Sequence, residues 1–181
     1  SNKALTILGG YSTSNWDNYD PATNLTIIDG QGQWRGVAAI ALSNNPTKIT
    51  LKGFTVQNGR AYGKTLNADD YTRHAFGAGI YSSHGLLELE DLVVKNNISY
   101  GGSGTNLTIG GWAFGGGISV EGAVYGGGTT KILNVILDNN QAIGGIGKNG
   151  GGNGLGGGLM TNDTNLTATN LTITNNLAKG G

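Results

Sequence analysis

One pattern is written four times along this chain: a glycine cluster, a run of alternating aliphatics, a pair of polar residues rich in asparagine, and a glycine-rich loop. FGAGIYSSHGLLELEDLVVKNNISYGG at 76–102 and LGGGLMTNDTNLTATNLTITNNLAKGG at 155–181 are the clearest copies. Self-similarity at such a period is the mark of stacked repeats, none of which can bury its apolar face alone. Anchored on the strand that follows the glycines, Ile40, Ile80, Ile118 and Leu159 lie 40, 38 and 41 residues apart. The closing asparagines Asn58, Asn96, Asn139 and Asn175 step by 38, 43 and 36, so the unit is constant and its loops are elastic.

Alignment on those asparagines exposes columns. Val56, Val94, Leu137 and Ile173 form one, and Phe54, Leu92, Val135 and Leu171 the next inward. After one extra residue the alternation resumes with Leu51, Leu89, Ile132 and Ala168, then Ile49, Leu87, Thr130 and Leu166. Alternation with a period of two belongs to strands, and the single extra residue marks a corner. Gly53, Asp91, Asn134 and Asn170 occupy it, residue types that tolerate a left-handed backbone. The pattern predicts an all-β right-handed parallel β-helix, with three short strands per coil and about four to five coils spaced roughly 4.8 Å apart. Residues 1–181 are expected to form one domain, with 1–35 a partial N-terminal coil and excursion and 36–181 four repeats. Neither end carries an obvious polar cap. That predicts a piece of a longer array and end-to-end association of exposed coils.

Composition narrows the partners. Eleven basic residues balance eleven acidic ones, so no net field draws the chain to nucleic acid or to an anionic membrane. Charged residues are 12% of the chain against about 25% in typical domains, with Asn, Thr, Ser and Gly filling the polar quota. No apolar run is long enough to span a bilayer. Cysteine is absent, which removes disulfides and thiolate metal sites and fits an extracellular or bacterial cell-surface protein. The 35 glycines are interrupted by patterned strands and accompanied by only two prolines, which argues against disorder.

The asparagines at 58, 96, 139 and 175 are read as a structural ladder, because stacked amides can bond to one another and to turn backbone. Asn97, Asn162, Asn165 and Asn170 match the glycosylation triplet, as expected by chance in a chain this rich in Asn and Thr.

Gly77-Ala78-Gly79-Ile80, Gly115-Gly116-Gly117-Ile118 and Gly156-Gly157-Gly158-Leu159 resemble the GGAI motif of polymorphic outer-membrane protein repeats. Leu137 to Ala142 (LDNNQA) and Ile173 to Ala178 (ITNNLA) resemble the F-x-x-N-x-A motif of the same repeats, with an aliphatic residue in place of the aromatic. The chain thus resembles the pectin-lyase-like right-handed β-helix superfamily over roughly 36–181. The resemblance implies a surface-exposed or secreted passenger in adhesion or display, within a superfamily that also holds polysaccharide lyases and hydrolases.

Alternation from the anchors places Ala41, Tyr81, Ser119 and Met160 outward, followed by Ser43, Ser83, Glu121 and Asn162. Glycoside hydrolysis needs two carboxylates about 5 to 9.5 Å apart. Glu121 has no acidic neighbour in its column, and Asp163 is the nearest candidate to join it. A second group of reactive residues, Asp69, Asp70, Arg73 and His74, lies in the loop before the second anchor, where exposed ion pairs are the ordinary explanation. His84 lacks a second histidine, the calcium-like stretch 101–109 lacks its acid, and no phosphate loop is complete, so no metal or cofactor is expected. Trp112, Tyr81 and Trp34, with Trp16 and Tyr19, offer ring faces for sugars. The leading expectation is a non-catalytic β-helical scaffold, stalk or adhesin passenger whose partners are host or environmental glycans or proteins. The alternative is a carbohydrate-active enzyme or carbohydrate-binding module of the same shape.

Overall fold

The computed structural model describes residues 4–41, 48–65, 71–104, 109–122 and 128–181. These form an all-β protein with four sheets, in which every strand pair is parallel. Among the described residues no helix is long and apolar enough to cross a membrane.

The largest sheet runs β1 (Leu5–Leu8), β4 (Lys48–Lys52), β9 (Leu86–Lys95), β13 (Gly128–Asp138) and β17 (Thr164–Thr174), with β2 (Ile27–Asp29) and β5 (Thr55–Gln57) alongside the second half of β9. Each long strand turns a corner without breaking. Asp91, Asn134 and Asn170 hold φ of 52°, 54° and 52°, and Gly53 holds 77° where β4 and β5 separate. The extra residue in the alternation is this left-handed corner. The apolar columns stack as the sequence predicts: Val56 pairs with Val94, Val94 with Leu137, and Leu137 with Ile173. Val56, Val94 and Leu137 are wholly buried, and each such side chain contributes about 1.5–3 kcal/mol.

A second sheet carries the anchors: β3 (Val37–Ile40), β8 (Ile80–Ser83), β12 (Ile118–Glu121) and β16 (Leu159–Asn162). Ile80, Ile118 and Val120 join Leu87, Leu92 and Val135 in one apolar core, so the two sheets share an interior. Two smaller sheets complete the repeat. One is β6 (Arg60–Tyr62), β10 (Ile98–Tyr100), β14 (Gln141–Ile143) and β18 (Leu177–Lys179); the other is β7 (Ala75–Phe76), β11 (Ala113–Phe114) and β15 (Gly154–Leu155). The repeat from Ile80 therefore holds four strands, β8 to β11, instead of three. The corner does not end a strand, and strands form on both sides of the loop.

Two expectations are corrected. Ile40 is not the first anchor: Val37 pairs with Ile80, whereas Ile40 pairs with Ser83 and is 66% exposed. Ala41, expected to face outward, is buried, and Ser43 lies outside the described residues. The first outward positions are Ala38 and Ile40, because the strand begins three residues earlier, directly after Gly36.

The buried ladder also sits one residue later than expected. Asn58, Asn96, Asn139 and Asn175 occupy a second left-handed corner, with φ between 52° and 58°. Their amides bond at the surface: Asn139 Nδ2 donates to Asn96 Oδ1 at 2.8 Å, Asn175 Nδ2 to Asp138, and Asn58 Nδ2 to Asp29. Asn97, Asn140 and Asn176 form the interior file. Asn97 Nδ2 donates to Asn140 Oδ1 at 2.9 Å, and Asn140 Nδ2 to Asn176 Oδ1 at 3.0 Å. Each side-chain oxygen also takes a backbone N–H from the preceding repeat: Gly59 N donates to Asn97, Asn97 N to Asn140, and Asn140 N to Asn176. Asn97 and Asn140 are fully buried, which leaves no room for a glycan on Asn97.

Candidate functional site

Beside the anchor sheet, the loops between repeats are held by backbone pairing. Ala75 pairs with Ala113 and Ala113 with Gly154, while Phe76, Phe114 and Leu155 fall into the neighbouring column. Phe76 and Phe114 consequently stack, with centroids 4.9 Å apart and planes 9° from parallel. Just before them, a short 3-10 turn at Tyr71–Arg73 sets Tyr71 over Phe76 at 5.2 Å. His74 and Trp112 stand 5.8 Å apart, and each lies within about 6 Å of Phe114.

These rings wall a groove of about 470 Å³, lined also by Glu121, Leu155, Met160 and Asn162. Glu121 belongs to the column Ile40, Ser83, Glu121, Asn162, in which Ser83, expected to be outward, is buried. Its carboxylate is oriented by two phenols: Tyr71 Oη donates to Oε1 and Tyr81 Oη to Oε2, both at 2.7 Å. Burial, reinforced by the hydrogen bond to Glu121, pushes the Tyr81 phenol up to about 12 and raises that of Tyr71 as well. Both stay protonated donors at neutral pH. Arg35 holds Tyr81 from behind, with its guanidinium 5.1 Å from the ring centroid and donating to the carbonyls of Gly77 and Phe76.

His74 has a fixed tautomer. The backbone N–H of Trp112 donates to its Nδ1 at 2.8 Å, so in the neutral ring the proton resides on Nε2. Burial, with the Arg73 guanidinium next to it, lowers the His74 pKa and keeps the imidazole neutral. The groove thus offers a carboxylate acceptor, an imidazole donor and aromatic faces.

Of the residues named from sequence, Glu121, His74 and Trp112 meet in this groove, and Tyr81 supports it through Glu121. Trp34 is exposed away from it, its carbonyl accepting the Arg60 N–H. Asp163 sits at a corner with φ 51° and accepts a hydrogen bond from Asn162. Asp70, with Asp69, lies outside the described residues. With Ser83 and Asn162 as the register neighbours of Glu121, its column contains one carboxylate among the described residues. Residue patterning alone does not single out Arg35, Tyr71, Phe76 and Phe114. A signal for the phenylalanines was present: AFG at 75–77, AFG at 113–115 and GLG at 154–156 repeat immediately before the glycine anchors.

A second depression, of about 420 Å³, lies against Lys48, Leu86, Glu88, Thr129 and Lys131. There Glu88 pairs with Lys48 at 2.9 Å and with Lys131 at 3.4 Å, so its acceptors are taken by lysines and the lining has no rings. No protein-family model, curated protein or solved structure matches the chain.

Proposed function

We propose that this chain is a non-catalytic scaffold of an extracellular or cell-surface protein, a right-handed parallel β-helix whose stacked repeats hold a groove for carbohydrate. Two features support the solenoid: the same residue columns recur from repeat to repeat, and parallel crossovers are right-handed almost without exception. The resemblance of the glycine anchors to polymorphic outer-membrane protein repeats points the same way, toward adhesion or display.

One observation carries the binding function: rings from two successive repeats converge with an oriented carboxylate and a neutral imidazole in a single groove. Flat apolar rings suit the C–H faces of pyranoses, while Glu121 and His74 can accept from and donate to hydroxyls. Binding is favoured over hydrolysis because the column holding Glu121 lacks a second carboxylate among the described residues, and both oxygens of Glu121 are engaged by phenols.

A glycan array followed by calorimetric titration tests this function. Wild type should bind at least one soluble oligosaccharide without releasing reducing ends, and Trp112→Ala should weaken that binding about tenfold or more through loss of a ring face. Binding indifferent to Trp112, or none at all, overturns the assignment.

A further inference from the structure

The charge of the groove narrows its ligand, on the reading that the groove binds saccharide. Among the described residues lining it, Glu121 bears the only formal charge at neutral pH. No cation pairs with Glu121 among the described residues, whereas Glu88 and Glu90 are each paired with lysine. Its two phenol hydrogen bonds use part of the acceptor capacity of a carboxylate, leaving lone pairs for a ligand. Tyr71 and Trp112, the most exposed rings there, are 61% and 38% accessible.

Covering an unpaired carboxylate with a ligand costs free energy unless the ligand replaces the lost water with complementary charge. A uronate brings a second negative charge beside Glu121. An uncharged sugar supplies hydroxyl donors only. An ammonium supplies the missing positive charge, and ring faces attract cations as well. We propose that the ligand is an amine-bearing saccharide, a hexosamine polymer with free ammonium groups, one of which pairs with Glu121 while the sugar rings lie on Trp112 and its neighbouring aromatics.

The test compares three oligomers of equal length, made of glucosamine, N-acetylglucosamine and galacturonate, titrated against wild type and Glu121→Gln at low and moderate salt. Wild type should bind the glucosamine oligomer about tenfold tighter than the acetylated one, and added salt should narrow that gap. Glu121→Gln, which keeps hydrogen-bonding capacity toward both tyrosines, should abolish the gap while still binding the acetylated oligomer. Trp112→Ala should weaken both oligomers to a similar extent. Equal wild-type affinity for the two, a gap that survives in Glu121→Gln, or tightest binding of galacturonate overturns the amine assignment and leaves saccharide binding standing. Failure of all three oligomers to bind removes the ligand class, and a glycan array on which no sugar binds removes the saccharide function itself.

Discussion

At the scale of single residues, the amide file through Asn97, Asn140 and Asn176 is the most demanding feature, since at Asn97 and Asn140 it places polar groups where water cannot reach them. Replacing Asn140 with leucine removes the acceptor for the backbone N–H and one Nδ2 hydrogen of Asn97, and takes the Nδ2 donor away from Asn176 Oδ1 and from the Val94 carbonyl. Asn140→Leu should therefore cost about 3 kcal/mol or more in urea denaturation. Asn139 is exposed at φ 52°, so Asn139→Gly should stay within about 1 kcal/mol of wild type. Equal costs at the two positions contradict the assignment of the interior file. In the sequence the first asparagine of each pair stands out because it recurs in every repeat. The second gives way to Gly59 in the earliest one, where an added Cβ would meet Asn97 Oδ1 at 2.7 Å. Both columns favour asparagine, one for its left-handed backbone and the other for its amide, and composition cannot separate those causes.

His74 belongs to the same scale. Its pKa is depressed in the fold, so the unfolded chain takes up the proton more readily. Its stabilising contribution is complete above the unfolded value of about 6.5 and is lost as pH falls through and below it. Protonation also removes the Nδ1 lone pair that accepts the Trp112 N–H. Comparing wild type with His74→Gln from about pH 8 down to about pH 5 should show the wild-type advantage shrinking on acidification. A difference that is constant or that grows contradicts this.

At the scale of elements, the long strands were legible in the sequence because ten or eleven residues of alternation carry a clear period. The two-residue strands β7, β11 and β15 were not, since a pair of residues has no period to detect, yet they set the groove wall. Within GVAAIALS, Val37 and Ile40 each offer an apolar anchor, and only pairing with β8 decides between them. The N-terminal excursion between β1 and β2 is tied down by Tyr19. Its hydroxyl donates to Asp91 at 2.6 Å, and Lys52 Nζ lies 4.6 Å from its ring centroid. Tyr19→Phe removes the hydroxyl while keeping the ring, and should cost about 1 kcal/mol and hasten limited proteolysis between Ser12 and Asn18. Unchanged cleavage there shows that the excursion is held by other contacts.

At the scale of the whole molecule, both the scaffold and the groove depend on one arrangement, in which each repeat lies on the next with like residues in register. Sequence periodicity reveals the columns because stacking forces neighbours of similar size to share a file. It does not reveal the groove, whose rings are brought together by the register of loops of unequal length. Phe76 and Phe114 stack because Ala75 pairs with Ala113, across loops that share little else. Lys131 pairs with Thr167 in the same way, 36 residues apart on the outward face of the largest sheet.

Oxidative cross-linking measures that register directly, because the chain has no native cysteine to compete. The doubly substituted Lys131→Cys, Thr167→Cys chain should form an intramolecular disulfide in high yield, since adjacent parallel strands bring paired Cα atoms within bonding reach. The displaced pair Lys131→Cys, Thr169→Cys, two residues out of register on the same face, should remain largely reduced under the same conditions. Equal yields from both pairs, or cross-linking of the displaced pair alone, contradict the stacking on which scaffold and groove both rest.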